Sequence, residues 1–225
     1  MSWGERRTFD TPAGEIVYWV AGDGPSVLLL HGWEGSHADM DAFVEPLLAR
    51  GRRVVAPDLV AHGESAGETA SLFDLGDSAS AIVETLGRME GAIAHSAGCV
   101  ALAEAVGNGA PIGRAALIAP PLDYGEFVRN VADRLNVDAD ALAGAFADRD
   151  IDVSKMNMTL TASRLDTPAL FVHSRDDGVT SYADTETIAK AWRGSRLLET
   201  AGLGHRRILR DPATVEAVVR FIAAA

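Results

Sequence analysis

The 225-residue sequence contains one cysteine, Cys99. One thiol cannot form an intrachain disulfide, and a reducing, cytoplasmic setting is expected. Basic residues are also scarce. Lys and Arg number 20 against 32 Asp and Glu, a formal net charge of −12, and no Lys/Arg block is longer than a pair. Nucleic acid and anionic membranes recruit basic patches, so neither is an expected partner. No apolar run approaches the ~18 residues that a membrane span needs; Val27–Leu30 is among the longest aliphatic runs. The opening MSWGERRTFD has no apolar stretch, so no secretion signal is expected. Repeats and low-complexity linkers are lacking as well. What remains is 48% hydrophobic and 23% charged, a globular balance that excludes a disordered chain. One domain spanning 1–225 is expected.

Short β-rich runs alternate with longer helical patterns, which predicts an α/β fold with a mostly parallel, doubly wound sheet. Arg7–Phe9 and Ile16–Val20 flank Thr11-Pro12-Ala13-Gly14 and read as an opening hairpin. Strands are expected at Val27–Leu30, Val54–Ala56, Ala92–Ala94, Ala115–Ala119, Ala169–His173 and Arg196–Leu198. Helices are expected at Asp41–Arg50, Ser71–Arg88, Cys99–Val106, Tyr182–Trp192 and Pro212–Ile222, the last capped by Asp211. Residues 122–167 break the rhythm. Phe127, Val131 and Leu135 follow helical spacing, as do Leu142 and Phe146. This stretch reads as a small helical cap inserted between strands.

Loops at strand ends in open α/β sheets carry function, and four of them hold reactive groups. In Ala94-His95-Ser96-Ala97-Gly98, a serine sits on a sharp strand-to-helix turn with small residues two before and two after it. Such a turn exposes the hydroxyl and places helix N–H groups beside it. In Leu30-His31-Gly32-Trp33-Glu34-Gly35-Ser36, glycines let backbone N–H groups turn inward. The Trp33 N–H can then pair with that of Ala97 around an oxyanion. The third loop, His173-Ser174-Arg175-Asp176-Asp177, brings two acids. The fourth, Gly202-Leu203-Gly204-His205-Arg206-Arg207, brings a histidine between glycines and a helix. Serine, acid and histidine thus follow one another in chain order, each after a strand.

This order, with HGWEGSH (31–37), PDLVAHGES (57–65), AHSAG (94–98), HSRDD (173–177) and GLGHRRILRDP (202–212), resembles the α/β-hydrolase superfamily, in particular a small, bacterial, serine-esterase-like branch. The resemblance implies Ser96 as nucleophile, Asp177 as acid, His205 as base, and Trp33 and Ala97 as oxyanion donors. Asp177 is selected over Asp176 because the acid usually falls four residues after the histidine of this motif; Asp123 is a further rival. Ala94, Cys99 and Thr180-Ser181 depart from residues common in the family.

The remaining candidates have plainer readings. Cys99 lies in a first helical turn but three residues past the elbow, where it reads as a packing residue. His31 and His95 read as loop-ordering groups. His31, His37 and His62 lack metal-ligand spacing, so no metal is expected. Gly22-Asp23-Gly24 precedes its strand and lacks the third glycine of a dinucleotide loop. Met156 and Met158 fall in the cap. The implied activity is hydrolysis of an ester or thioester of a small carboxylic acid through an acyl-enzyme, without a cofactor. The alternatives on the same fold are C–C hydrolysis, perhydrolysis, or ligand binding by a non-catalytic member.

Overall fold

In the computed structural model, the residues described are 4–122, 132, 136–138, 141, 144 and 157–224. Eight strands form one sheet. They are β1 (Glu5–Thr11), β2 (Gly14–Ala21), β3 (Ser26–Leu30), β4 (Arg53–Pro57), β5 (Gly91–His95), β6 (Ala115–Ile118), β7 (Ala169–Ser174) and β8 (Arg196–Thr200). Their spatial order is β1-β2-β4-β3-β5-β6-β7-β8. β1 and β2 pair antiparallel, as do β2 and β4; every pairing from β4 to β8 is parallel. β3, β5, β6 and β7 are buried along their whole length, which is why their central residues read as apolar runs.

The helices are α1 (Val44–Leu48), α2 (Leu72–Leu86), α3 (Ala97–Gly107), α4 (Met158–Ala162), α5 (Tyr182–Ala191), α6 (Gly204–Arg207) and α7 (Pro212–Ile222). Alternate residues of each strand face opposite layers. Leu28 and Leu30 join Leu75 and Ile82 of α2, Val100 of α3 and Ile188 of α5. Val27 and Leu29 join Leu47 of α1 and Val218 and Ile222 of α7. Helices therefore cover both faces, as the doubly wound reading requires.

Local chemistry sets the boundaries. Ser71 caps α2: its hydroxyl accepts the Asp74 N–H, and the Asp74 carboxylate accepts the Ser71 N–H at 2.6 Å. The Asp211 carboxylate caps α7 by accepting the Thr214 N–H at 2.8 Å. The single helix expected at Asp41–Arg50 is instead a 3-10 segment, His37–Phe43, followed by α1. Pro46 has no N–H to donate, and it fits in the first turn of a helix that starts at Val44. Most of the expected cap, including Phe127, Val131, Leu135, Leu142, Phe146 and Met156, lies outside the described residues, as does Asp123. Its described end is α4, packed on α3 and α5; Met158 is buried, and its N–H donates to Leu122 O at 2.9 Å. Among the described residues no helix is long and apolar enough to cross a membrane.

Topology selects the place for a site. After β3 the chain moves to β4 on one side, and later enters β5 on the other. Loops leaving β3 and β5 diverge at such a switch and open a crevice at the strand ends.

Candidate active site

Ser96 joins β5 to α3 with φ 50° and ψ −121°. This conformation costs an L-residue about 1–3 kcal/mol, so neighbouring contacts must hold it. The Ser96 N–H donates to Ile118 O at 2.9 Å, and Ser96 O accepts the Cys99 N–H at 2.9 Å. Gly98 lets α3 approach β3: a Cβ there would stand 2.4 Å from His31 O and 2.7 Å from Leu30 O. Ala94 is buried in β5. Its carbonyl accepts the Cys99 thiol at 3.3 Å, and Ile118 O lies 3.4 Å from the same sulfur. Burial pushes the Cys99 pKa up, so the thiol stays protonated and packs.

The loop after β3 comes close to this turn. A Cβ on Gly32 would stand 3.1 Å from Ser96 Cβ and 3.1 Å from His95 Nδ1, so any larger residue would press on the Ser96 turn, and glycine lets the backbone at 32–33 lie this near. His31 orients that backbone. Its Nδ1–H donates to Gly32 O at 2.7 Å, while Nε2 accepts the Leu59 N–H at 3.0 Å; this pair of bonds specifies a neutral imidazole. Gly32 O also accepts the Gly35 N–H at 3.1 Å. Trp33 is half-buried with its ring edge-on to His62. The Ala97 N–H belongs to the first turn of α3, where no intrahelical acceptor exists.

His205 and Asp177 meet from loops that follow adjacent strands. His205 Nδ1 lies 2.7 Å from Asp177 Oδ2. With the proton on Nδ1, Nε2 is left as a base. The Asp177 carboxylate is buried, and its second oxygen accepts the N–H groups of Val179 at 2.8 Å and Thr180 at 3.1 Å. Burial alone would raise its pKa. Hydrogen bonds from His173 and His205 and the Val179 N–H outweigh that and hold the carboxyl well below its usual range.

Two of these partners were not legible in sequence. His173 Nε2 is 3.3 Å from Asp177 Oδ2 and 3.2 Å from Thr180 O. The Thr180 hydroxyl is 3.2 Å from Asp177 Oδ2 and 3.4 Å from His205 Nδ1. The only signals were the histidine four residues before the acid and the departure at Thr180. Asp176 takes a different place. Its Oδ1 accepts the Ser174 hydroxyl, the Gly202 N–H at 2.7 Å and the Gly204 N–H at 3.3 Å. It thereby ties the β7 loop to the loop that carries His205. His95 reaches the same loop, donating Nε2–H to His205 O at 2.9 Å.

A family model for the alpha/beta hydrolase family matches residues 27–218. The chain belongs to the alpha/beta hydrolase family. Solved structures share its fold at low identity. A hydrolase from Pseudomonas aeruginosa is 20% identical with a TM-score of 0.77, covering 99% of each chain. An esterase from Exiguobacterium antarcticum is 15% identical with a TM-score of 0.77, covering 94% of this chain and 96% of its own. A thioesterase domain from the curacin biosynthetic pathway is 17% identical with a TM-score of 0.72, covering 97% and 98%. No curated protein matches the sequence.

In this family member Ser96 and His205 line one cavity of about 510 Å³, together with Gly32 and Trp33. Among the described residues no three His, Cys, Asp or Glu side chains gather as a metal site. His37 instead stacks on Trp19 and hydrogen-bonds the buried Asp58 at 2.9 Å. His62 Nδ1 lies 2.9 Å from Val60 O.

Two buried histidines make stability sensitive to acid. Burial lowers the His31 pKa to about 4 against the pull of Gly32 O, with His62 adding repulsion and Asp58 and Asp39 opposing it. Burial and the neighbouring His205 lower that of His95 to about 3, with Arg206 in the same direction and His205 O and Asp177 opposing. Below pH 6.5 the unfolded chain takes up these protons while the folded one does not, so stability falls as pH drops. Between pH 7.5 and 5 each group should remove about 2 kcal/mol. Urea unfolding at the two pH values measures the loss, and His95→Gln should recover its share. Equal stability at both values would mean that neither histidine is held neutral.

Proposed function

We propose that the protein hydrolyses an ester or thioester of a small carboxylic acid, with Ser96 as nucleophile, His205 as general base and Asp177 as its orienting acid. The observation that carries this reading is the 2.7 Å bond from His205 Nδ1 to the buried Asp177 carboxylate, with Ser96 and His205 on the same cavity. His205 Nε2 takes the Ser96 proton while Oγ attacks the carbonyl carbon. N–H groups of Trp33 and Ala97 receive the oxyanion, and the approach of Gly32 to Ser96 supports their placement. His205 returns the proton to the leaving alcohol or thiol. Water then cleaves the acyl-enzyme with the same groups in the same roles. Asp177 remains a carboxylate throughout and stabilises the imidazolium.

Fluorophosphonate labelling tests the reading. The probe should modify Ser96 in the native protein, and an unlabelled Ser96 would overturn the assignment and favour a ligand-binding role. A panel of p-nitrophenyl esters and acyl thioesters then ranks substrates. The cavity offers apolar contact from Trp33, Val179 and Leu209 but is otherwise rich in charged side chains. Each buried methylene is worth about 0.8 kcal/mol only while apolar wall remains. The ratio kcat/KM is therefore expected to peak between acetyl and hexanoyl. A steady rise through palmitoyl would contradict the proposed pocket.

A further inference from the structure

The cavity wall beside His205 is cationic. Arg206, Arg207 and Arg210 line the same cavity as Ser96 and His205. Three of the protein's 20 Lys and Arg residues thus fall within five positions, in a chain of net charge −12. Ile208 and Leu209, between them, are buried in the core. That anchor turns the three arginines outward and ties their position to the backbone that carries His205.

Their partners are few. Arg207 Nη2 donates to Gly202 O at 3.0 Å and lies 4.0 Å from Asp176 Oδ2. Arg210 Nη2 lies 3.6 Å from Asp41 Oδ1. Arg206 is exposed and has no ion pair among the described residues. Glu34 and Asp39 border the cavity as well and keep their negative charges; Asp39 accepts the Ser36 N–H at 3.1 Å, and neither acid forms an ion pair with these arginines, so the guanidinium donors stay available to an anion. The charge of Arg206 also acts on His95, the residue before Ser96. The cation is therefore within electrostatic reach of the reacting centre.

We propose that this wall is an anion subsite, and that the substrate carries a carboxylate or phosphate beyond its scissile carbonyl. The proposal rests on the hydrolase reading above and names the class of substrate for that site. A planar guanidinium donates two parallel N–H bonds to a carboxylate or phosphate, which makes arginine the suited residue.

Two matched substrate pairs test it. Mono-p-nitrophenyl glutarate against its methyl ester places the charge on the acyl side. Acetyl-coenzyme A against the acetyl thioester of N-acetylcysteamine places it on the leaving group. In at least one pair the anionic member should have a kcat/KM about tenfold higher at low salt. The advantage should shrink at about 0.5 M salt, where charges are screened within a few ångströms. In the Arg206→Gln/Arg210→Gln double variant the ratio of anionic to neutral kcat/KM should fall toward one. Equal rates in both pairs would overturn the proposal while leaving the hydrolase reading intact, as would a preference that survives the double substitution. If Ser96 takes no fluorophosphonate label, the hydrolase reading fails separately. Calorimetric titration of Ser96→Ala protein with the same compounds then decides: salt-sensitive, tighter binding of an anionic member supports the subsite, and equal binding rejects it.

Discussion

Ser96→Ala is expected to abolish p-nitrophenyl ester hydrolysis while the protein remains folded. The hydroxyl is the group that would carry the acyl chain, and without it His205 and the backbone donors have no covalent route. Loss of the nucleophile in a serine hydrolase costs on the order of 10⁶ in kcat. The fold should survive because the strained backbone at 96 is held by main-chain bonds, Ser96 N–H to Ile118 O and Cys99 N–H to Ser96 O. Alanine keeps both. The measurement is steady-state hydrolysis beside a thermal melt. A variant that keeps more than about a tenth of the native rate would move the nucleophile elsewhere; a rate of zero with a collapsed melt would say nothing against a purely structural Ser96, so a native-like melt is part of the expected result.

Asp177→Asn is expected to lower kcat by about 10⁴, the loss known when an amide replaces the triad carboxylate and favours the wrong imidazole tautomer. Here the change would reach further, because the carboxylate meets two imidazoles, His205 Nδ1 at 2.7 Å and His173 Nε2 at 3.3 Å. An amide nitrogen facing either would set donor against donor. Asp176→Asn is the contrast. That side chain holds loop N–H groups of Gly202 and Gly204 and does not touch the imidazole. Its oxygen can still accept after substitution, so the rate should fall no more than about tenfold, the worth of one charge-assisted bond. Parallel kinetics on the two variants give the comparison, and a larger loss at Asp176 would reassign the acid. Asp177 also links to stability. Its lowered pKa stabilises the fold above the ordinary carboxylate value of about 4, and this contribution fades as pH falls below it. Acid unfolding should therefore be less steep in Asp177→Asn.

Which parts of this protein follow from sequence alone is a matter of range. The buried strands were legible because burial on both faces demands continuous apolar runs, as at Val27–Leu30 and Ala169–Val172. The helix at Pro212–Ile222 was legible to the residue, because Asp211 and Pro212 mark its start and an apolar stripe its length. Ser96 and Gly98 were legible because a strand-to-helix turn tolerates few residue types, and Gly98 has no room for a Cβ. These are short-range constraints, written within a few residues of where they act. Contacts between loops are different. His31 reaches Leu59, His95 reaches the carbonyl of His205 across 110 residues, and His173 shares the carboxylate of Asp177. A histidine looks the same in sequence whether it packs, orients a loop or takes a proton. The two adjacent acids differ only in direction: successive residues of the β7 loop point apart, one toward the imidazole and one toward the backbone of the next loop. The convergence of Arg206, Arg207 and Arg210 on the cavity also depends on where Ile208 and Leu209 enter the core. Only the tertiary structure decides such matters, because side-chain direction at a strand end is set by which neighbouring loop packs against it.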